Sequence, residues 1–358
     1  MKLEKLTLEN YEDAKKLSEK YQLKVLKKID WENIWAKNPF IINTKKDWII
    51  GWKLIDEKNN IVGLIHNIPL VFYYKKKEFL AAVCGNWVID EKYKSLALKL
   101  RSKFLNQENV DFYITNTANI TAEKVMEAFK AKKISQYNYD KRMIYLINKK
   151  KVISSYIKKI SLARNFFEDI KKLKNIFKKN EMKSDGNFDI ANNFSPDFND
   201  FNENLKNNQT LYSSKEHRWL SWKYSRLLNT DRLWIIKSYK NHKLRGFLVF
   251  IINDEKNYNL KKSTIVELSF IEKNDSEIEE VIKKCLMLSK KLNCDLVDVI
   301  GFNKYKKNLL YKTGFVDKKI GNFGFLVKNS NSEIEDILFS NENTLDMSLT
   351  DGDAVFSL

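Results

Sequence analysis

The stretch with the most chemical content is Phe79–Lys132, FLAAVCGNWVIDEKYKSLALKLRSKFLNQENVDFYITNTANITAEKVMEAFKAK. Its charged turn, Asp90–Lys94, places Lys92 and Lys94 immediately before Ser95, a residue type that caps helices. Unpaired N–H groups at a helix start, flanked by two lysines, suit a phosphate or pyrophosphate. Turns of the same composition also occur where nothing binds. His66, in GLIHNIPL, is one of only three histidines. Imidazole titrates near neutrality, which makes His66 a candidate general base; a structural place on a strand is the alternative. Glu78 and Asp90 are carboxylates at strand ends, where turn and cap roles compete with chemistry. Cys84, Asn86, Trp87 and Val88 share one strand-like run. Cys84 has no base nearby in sequence and reads as a small buried residue. Asn116 and Asn119 either bond a ligand or cap the helix that follows them.

These residues depend on the elements around them. Phe79–Ile89 is apolar, β-branched and aromatic, as a strand requires. From Ser95 to Gln107, Leu96, Leu100 and Phe104 recur every fourth position and predict a helix with one buried face. Val110–Thr115 is a second strand and Ala122–Lys132 a second helix. Upstream, Leu3–Leu8 reads as an edge strand, Tyr11–Tyr21 and Ile29–Asn38 as helices, and Trp48–Asp56 and Ile61–Tyr74 as strands. Lys141–Ile147 closes the first half as a strand. The second half repeats the order. Leu233–Tyr239 and Leu244–Asn253 form a hairpin, Ser263–Glu272 a strand, Ser276–Leu292 a helix, and Asp295–Ile300 a strand. Lys304–Thr313 is a helix stopped at Gly314, and Asn322–Lys328 a last strand. This order is α+β, with mixed, mostly antiparallel sheets. The boundaries that follow are 1–148 for a first domain, 149–208 for a linker and 209–358 for a second domain with a polar tail. Within the linker, Lys149–Lys179 is a basic amphipathic helix suited either to packing between domains or to a peripheral membrane contact. Asn180–Asn208 reads as a surface loop with helix fragments, and Ser330–Asn343 as an unpatterned acidic tail. Near the end, Asp351 and Asp353 flank Gly352. Folded back, they would meet an amine acceptor; extended, they would be a solvated tail.

Composition bounds the rest. At 358 residues the chain has room for two domains of about 100–200 residues each. Its 43% hydrophobic content argues against global disorder. The net charge of +18 favours anionic partners, although interleaved acids also fit a solvated lysine surface. Three cysteines without C-x-x-C spacing make neither a zinc motif nor a disulfide framework, and no metal site is expected. No apolar h-region opens the chain and no run approaches a membrane span, so a cytoplasmic protein is expected.

The element order resembles the GNAT superfamily of N-acetyltransferases, in the tandem form of bacterial members associated with glycan or cell-envelope biosynthesis. The family's pyrophosphate loop, Gln/Arg-x-x-Gly-x-Gly/Ala, aligns with Lys92, Tyr93, Lys94, Ser95, Leu96 and Ala97. Lysine stands for arginine there, and Ser95 replaces the first glycine. Asn116–Lys133 is similar to the family's Asn-x-x-Ala turn and last helix, and Leu309–Phe315 (LLYKTGF) to the end of that helix in a second copy. The resemblance implies two GNAT-like domains, the first binding acetyl-CoA or another acyl-CoA. Val88, Lys92, Lys94, Ser95, Leu96, Ala97, Asn116 and Asn119 would contact that co-substrate. It also implies N-acyl transfer by direct attack of an amine on the thioester, the amine belonging to a sugar nucleotide or glycan intermediate in polysaccharide biosynthesis. His66, Glu78 and Asn86 are the catalytic candidates. Tyr311 occupies the place of a thiolate-protonating tyrosine, but in the second half; Met126 holds the equivalent place in the first, which leaves the general acid unassigned. The acidic run Lys273–Glu280 would repel a pyrophosphate, so the second copy is structural or holds the acceptor. Two other readings are a Fem-type transferase using aminoacyl-tRNA, against which the missing helical arm counts, and a non-catalytic binding module with a degenerate cofactor site.

Overall fold

The run Ile61–Tyr74 is apolar on both faces, and a strand covered on both sides needs that. It forms the 14-residue strand β3 at the heart of the first sheet. The structure, a computed structural model, describes residues 1–45, 47–134, 141–157, 187–319, 324–329, 331–339 and 344–357. Around β3 lie β1 (Lys2–Lys5), β2 (Gly51–Ile55), β4 (Lys77–Ile89), β5 (Phe112–Ala118), β6 (Lys132–Lys133) and β15 (Gly324–Asn329), in the order β1-β2-β3-β4-β5-β15-β6. Along that path only β4 and β5 run parallel. The short strands β9 (Leu211–Ser213) and β16 (Leu345–Asp346) extend the sheet beside β3. Helix α4 (Ala97–Leu105) buries Leu100 and Phe104 against Leu54, Val62 and Ala82. On the other face, α1 (Tyr11–Lys20) sets Ala14 and Leu17 against Leu64 and Val88. Each large apolar side chain so buried contributes about 1.5–3 kcal/mol.

The second sheet contains β7 (Lys141–Leu146), β8 (Phe188–Ala191), β10 (Leu233–Lys240), β11 (Lys243–Glu255), β12 (Leu260–Phe270), β13 (Leu296–Ile300) and β14 (Val316–Lys319). Their order is β14-β7-β13-β12-β11-β10-β8, and only β12–β13 is parallel. Helices Asp275–Lys291 and Lys304–Lys312 cover it through Ile278, Val281, Ile282, Leu309 and Leu310. The fold is therefore the expected pair of mixed, mostly antiparallel sheets flanked by helices.

The chain divides differently from the expected 1–148, 149–208 and 209–358. One compact unit is Met1–Tyr137, Lys206–Arg226 and Asn322–Leu358; the other is Asn138–Leu205 and Leu227–Gly321. The strand that should close the first half, β7, pairs with β13 in the second sheet and places Met143 in that core. Its counterpart β15 pairs with β5 in the first sheet, where Val327 is fully buried. Two surface assignments are also corrected. Asn180–Asn208 holds β8 and a helix, Asp197–Leu205, whose Phe198, Phe201 and Leu205 recur on one buried face. Ser330–Asn343 contains the helix Ser332–Phe339, with Ile334, Ile337 and Leu338 inward at the same helical spacing. Of the basic segment Lys149–Lys179, the helix Lys149–Ile157 is described and 158–179 lies outside the described residues. No helix among the described residues is long and apolar enough to cross a membrane.

Candidate active site

Parallel strands part where their pairing stops. β4 and β5 pair from Ala81–Phe112 to Val83–Ile114 and no further, although β4 runs to Ile89 and β5 to Ala118. On its other side β4 bulges. Gly85 faces His66 and Val88 faces Leu64, so Asn86 and Trp87 together oppose Ile65 alone. Asn86 takes φ 38°, a conformation that asparagine tolerates better than most residues. The bulge frees the Asn86 N–H from the ladder and turns it toward the gap.

A cavity of about 430 Å³ occupies this gap. Tyr11, Ser18 and Trp31 line it on one side, and Trp87, Thr115 and Ala122 on another. Closing it is the C-terminal turn Asp353–Ser357. Asp353 bridges the parted strands: Oδ2 accepts from the Asn86 N–H at 3.3 Å, and Oδ1 from the Thr117 hydroxyl at 3.5 Å. Burial pushes this carboxyl up to about 6, against the pull of those two donors.

The turn is bolted in place one residue back. Asp351, wholly buried, accepts from Lys223 Nζ at 2.9 Å, from the Ser348 N–H at 2.7 Å and from the Ser213 hydroxyl. Burial alone would push its carboxyl up, but Lys223 and Lys215 more than reverse this and hold it below the usual carboxylate range. Lys223 comes from the helix His217–Lys223, which explains why that segment belongs to the first unit. Asn116 Nδ2 donates to the Leu349 carbonyl at 2.8 Å, and a Cβ on Gly352 would fall 2.0 Å from that same nitrogen. Only glycine lets the tail pass so close.

The expected site residues are divided by this geometry. His66, Asn86 and Asn119 line the cavity; Glu78, Val88 and Lys92–Ala97 do not. His66 packs edge-on against Trp31 and Trp35, and burial pushes it down to about 3, so the ring is neutral. Glu78 is exposed at the β3–β4 hairpin, with the Tyr73 hydroxyl donating to it at 3.4 Å. Val88 packs into the α1 face. Asn119 caps helix Ile120–Ala128 by accepting from the Ala122 N–H. The turn after β4 is a 3-10 helix, Glu91–Leu96, capped by Asp90 rather than by Ser95. Asp90 Oδ1 accepts from the Lys92 N–H at 3.2 Å, and Lys94 pairs with Glu91 at 2.9 Å. In the second unit, the Tyr311 hydroxyl donates to Asp317 at 2.6 Å.

One residue was not anticipated. Arg101 of α4 is fully buried behind Cys84 and Thr115, donating to Cys84 Sγ at 2.9 Å and Thr115 Oγ1 at 2.7 Å. Its signal lies in the helical pattern, since a charge four residues after Ala97 and four before Leu105 sits inside the apolar face.

No protein-family model matches the sequence, and no curated protein does. Solved structures do match. A conserved protein of unknown function from Enterococcus faecalis V583, titled a probable N-acyltransferase, superposes with TM-score 0.57 at 9% identity, over 92% of this chain and 72% of that one. A GCN5-related N-acetyltransferase from Anabaena variabilis gives 0.57 at 10% identity, over 92% and 73%. The fold is that of the GNAT acyltransferases. Saccharomyces cerevisiae N-myristoyltransferase, solved with bound myristoyl-CoA, gives 0.55 at 13% identity, over 92% and 78%. At these identities the likeness is one of GNAT fold.

Proposed function

We propose that the protein is an acyl-CoA-dependent N-acyltransferase, with its chemistry in the cavity between β4 and β5. The observation that carries this reading is Asp353, a buried carboxylate held between a bulge amide and a threonine at the point where two parallel strands part. The acyl thioester enters the gap, and its carbonyl oxygen takes the Asn86 N–H that Asp353 now occupies. A backbone donor fixed before reaction stabilises the developing oxyanion without reorganisation. The amine attacks the carbonyl carbon, and Asp353, displaced from the amide, accepts the amine's proton. A carboxylate raised to about 6 is still ionised at neutral pH and is a better base than an ordinary one. His66, being neutral, offers Nε2 to a ligand rather than serving as a charged acid.

Lys92 and Lys94 are assigned to the pyrophosphate, with Lys94 leaving Glu91 to reach it. The acceptor is read as an amino group on a sugar nucleotide or glycan intermediate. Lys15 and Lys24 on the cavity wall support an anionic acceptor. The test is release of free thiol from acetyl-CoA and longer acyl-CoAs against a panel of amino-sugar nucleotides. Amine-dependent release that falls at least about 100-fold in Asp353→Asn is expected. Release that is absent with every acyl-CoA and amine, or untouched by the substitution, overturns the assignment.

A further inference from the structure

Like charges directly opposite one another on neighbouring strands destabilise a sheet. Arg142 of β7 and Lys318 of β14 are such a pair, in the second unit. Both line a cavity of about 180 Å³. Burial, and then the neighbouring Arg142, push the Lys318 ammonium below its ordinary range. Side chains alternate along a strand, so the register sets Arg142, Ile144 and Leu146 on one face of the sheet. Leu296 and Asp298 of β13 and Lys262 of β12 share that face. The other face carries Met143, Val297 and Val299 into the core beneath the helices Asp275–Lys291 and Lys304–Lys312. On the cavity face, Val152 of the helix Lys149–Ile157 packs with the apolar end, against Leu146, Leu260 and Leu296. The charged end borders the cavity.

A donor and an acceptor stand unsatisfied there. Asp298 is 1% exposed, and its Oδ1 accepts from the Thr264 hydroxyl at 2.5 Å. Its Oδ2 lies 3.3 Å from Arg142 Nε and 3.5 Å from Lys262 Nζ. Even so, Oδ2 and Arg142 Nε are both buried without a hydrogen-bond partner. Native proteins seldom leave buried polar atoms so unless something else fills the place. Lys262 donates instead to Glu255 at 2.6 Å, which answers its charge. Of the remaining lining charges, Arg142 and Lys318 are positive and Asp298 negative, a balance that favours one anionic group. Oδ2 already has two cations within 3.5 Å, so a neutral donor suits it better than a third cation. Pockets for drug-sized ligands start near about 300 Å³, so this one suits a smaller molecule.

We propose that this cavity is a second ligand site, for a small hydroxycarboxylate with a short aliphatic chain. The carboxylate lies between Arg142 and Lys318 and accepts from Arg142 Nε. The hydroxyl donates to Asp298 Oδ2, and the chain rests on Leu146, Leu260 and Leu296. Binding is non-covalent, and it relieves the opposed cations as well as the two unsatisfied atoms. The inference does not depend on the acyl-CoA reading, because the cavity is built wholly from residues of the second unit.

The experiment uses the full chain without any CoA. Calorimetry and thermal unfolding are run with α-hydroxyisocaproate, with isocaproate, which lacks the hydroxyl, and with leucine, which carries an ammonium in its place. One equivalent of α-hydroxyisocaproate is expected to bind at millimolar concentration or below and to raise Tm. Isocaproate and leucine are each expected to bind about tenfold more weakly or worse. Arg142→Met should weaken the hydroxy acid about tenfold or more, and Arg142→Lys by less. Lys318→Met, on the half-buried end of β14, is the second variant and should also weaken it, with its own Tm without ligand showing that it folds. No binding to the wild type overturns the proposal. Equal binding of all three compounds, or binding untouched by Arg142→Met and Lys318→Met, overturns it as well.

Discussion

Two aspartates two positions apart do opposite things because their surroundings differ. Asp351 faces lysines and is held ionised; Asp353 faces only neutral donors and is raised to about 6. A carboxyl raised above its unfolded value contributes stability at low pH and loses it as pH rises through about 6. Ionised Asp353 is therefore a destabilising group at neutral pH, by about 3 kcal/mol at most. Asp353→Asn is expected to raise Tm at pH 7.5, with the gain shrinking toward pH 4, while abolishing the rise of kcat/KM through about pH 6 that the wild type should show. Thermal unfolding at the two pH values and a pH–rate profile check this. Asp351 has the reverse sign. Its contribution is present above the unfolded carboxylate range and is lost as pH falls through its depressed folded value. Asp351→Asn breaks the buried pair with Lys223 and is expected to cost about 3–5 kcal/mol, read by urea denaturation. The same variant should release the C-terminal turn, seen as faster amide exchange over 348–357.

At the level of elements, the bulge in β4 changes what Asn86 contributes. The sequence put its side chain forward as a catalytic group, whereas the structure points its backbone N–H at Asp353 and gives Nδ2 to the Ser18 hydroxyl at 2.9 Å. Asn86→Gly keeps the amide and suits φ 38°, so kcat is expected to stay within a few-fold of wild type in the thiol-release assay. A fall as large as that of Asp353→Asn would return the role to the side chain. The strands themselves were legible. Ile61–Tyr74 and Phe79–Ile89 are long apolar runs bounded by charged turns, and β3 and β4 follow them closely. The helices Asp197–Leu205 and Ser332–Phe339 also left a signal in the spacing of Phe198, Phe201, Ile334 and Ile337, but their polar neighbours masked it. The bulge left none, because a register shift depends on the partner strand and not on local composition. Arg101 was hidden differently: its charge looked like one more surface cation until its helix face was known.

At the scale of the whole chain, the site is assembled from stretches far apart in sequence. The wall comes from the first 120 residues, the bolt from Ser213 and Lys223, and the proposed base from Asp353. Local patterns cannot show that β7 and β15 each pair in the other half's sheet, since both are ordinary short strands whose destination is set by core packing. That exchange brings Asn322–Leu358 back into the first unit, as chain connectivity through β15 requires. It also makes the turn Asp353–Ser357 part of the candidate cavity rather than a solvated tail. The central claim is that this cavity receives an acyl-CoA, and calorimetric titration of acetyl-CoA into the full chain tests it most directly. The account predicts one equivalent bound. Affinity should be kept or improved in Asp353→Asn, which removes a carboxylate from the Asn86 amide, and should fall about tenfold or more in Lys92→Glu/Lys94→Glu. No heat at millimolar acetyl-CoA, or binding indifferent to both changes, would contradict it.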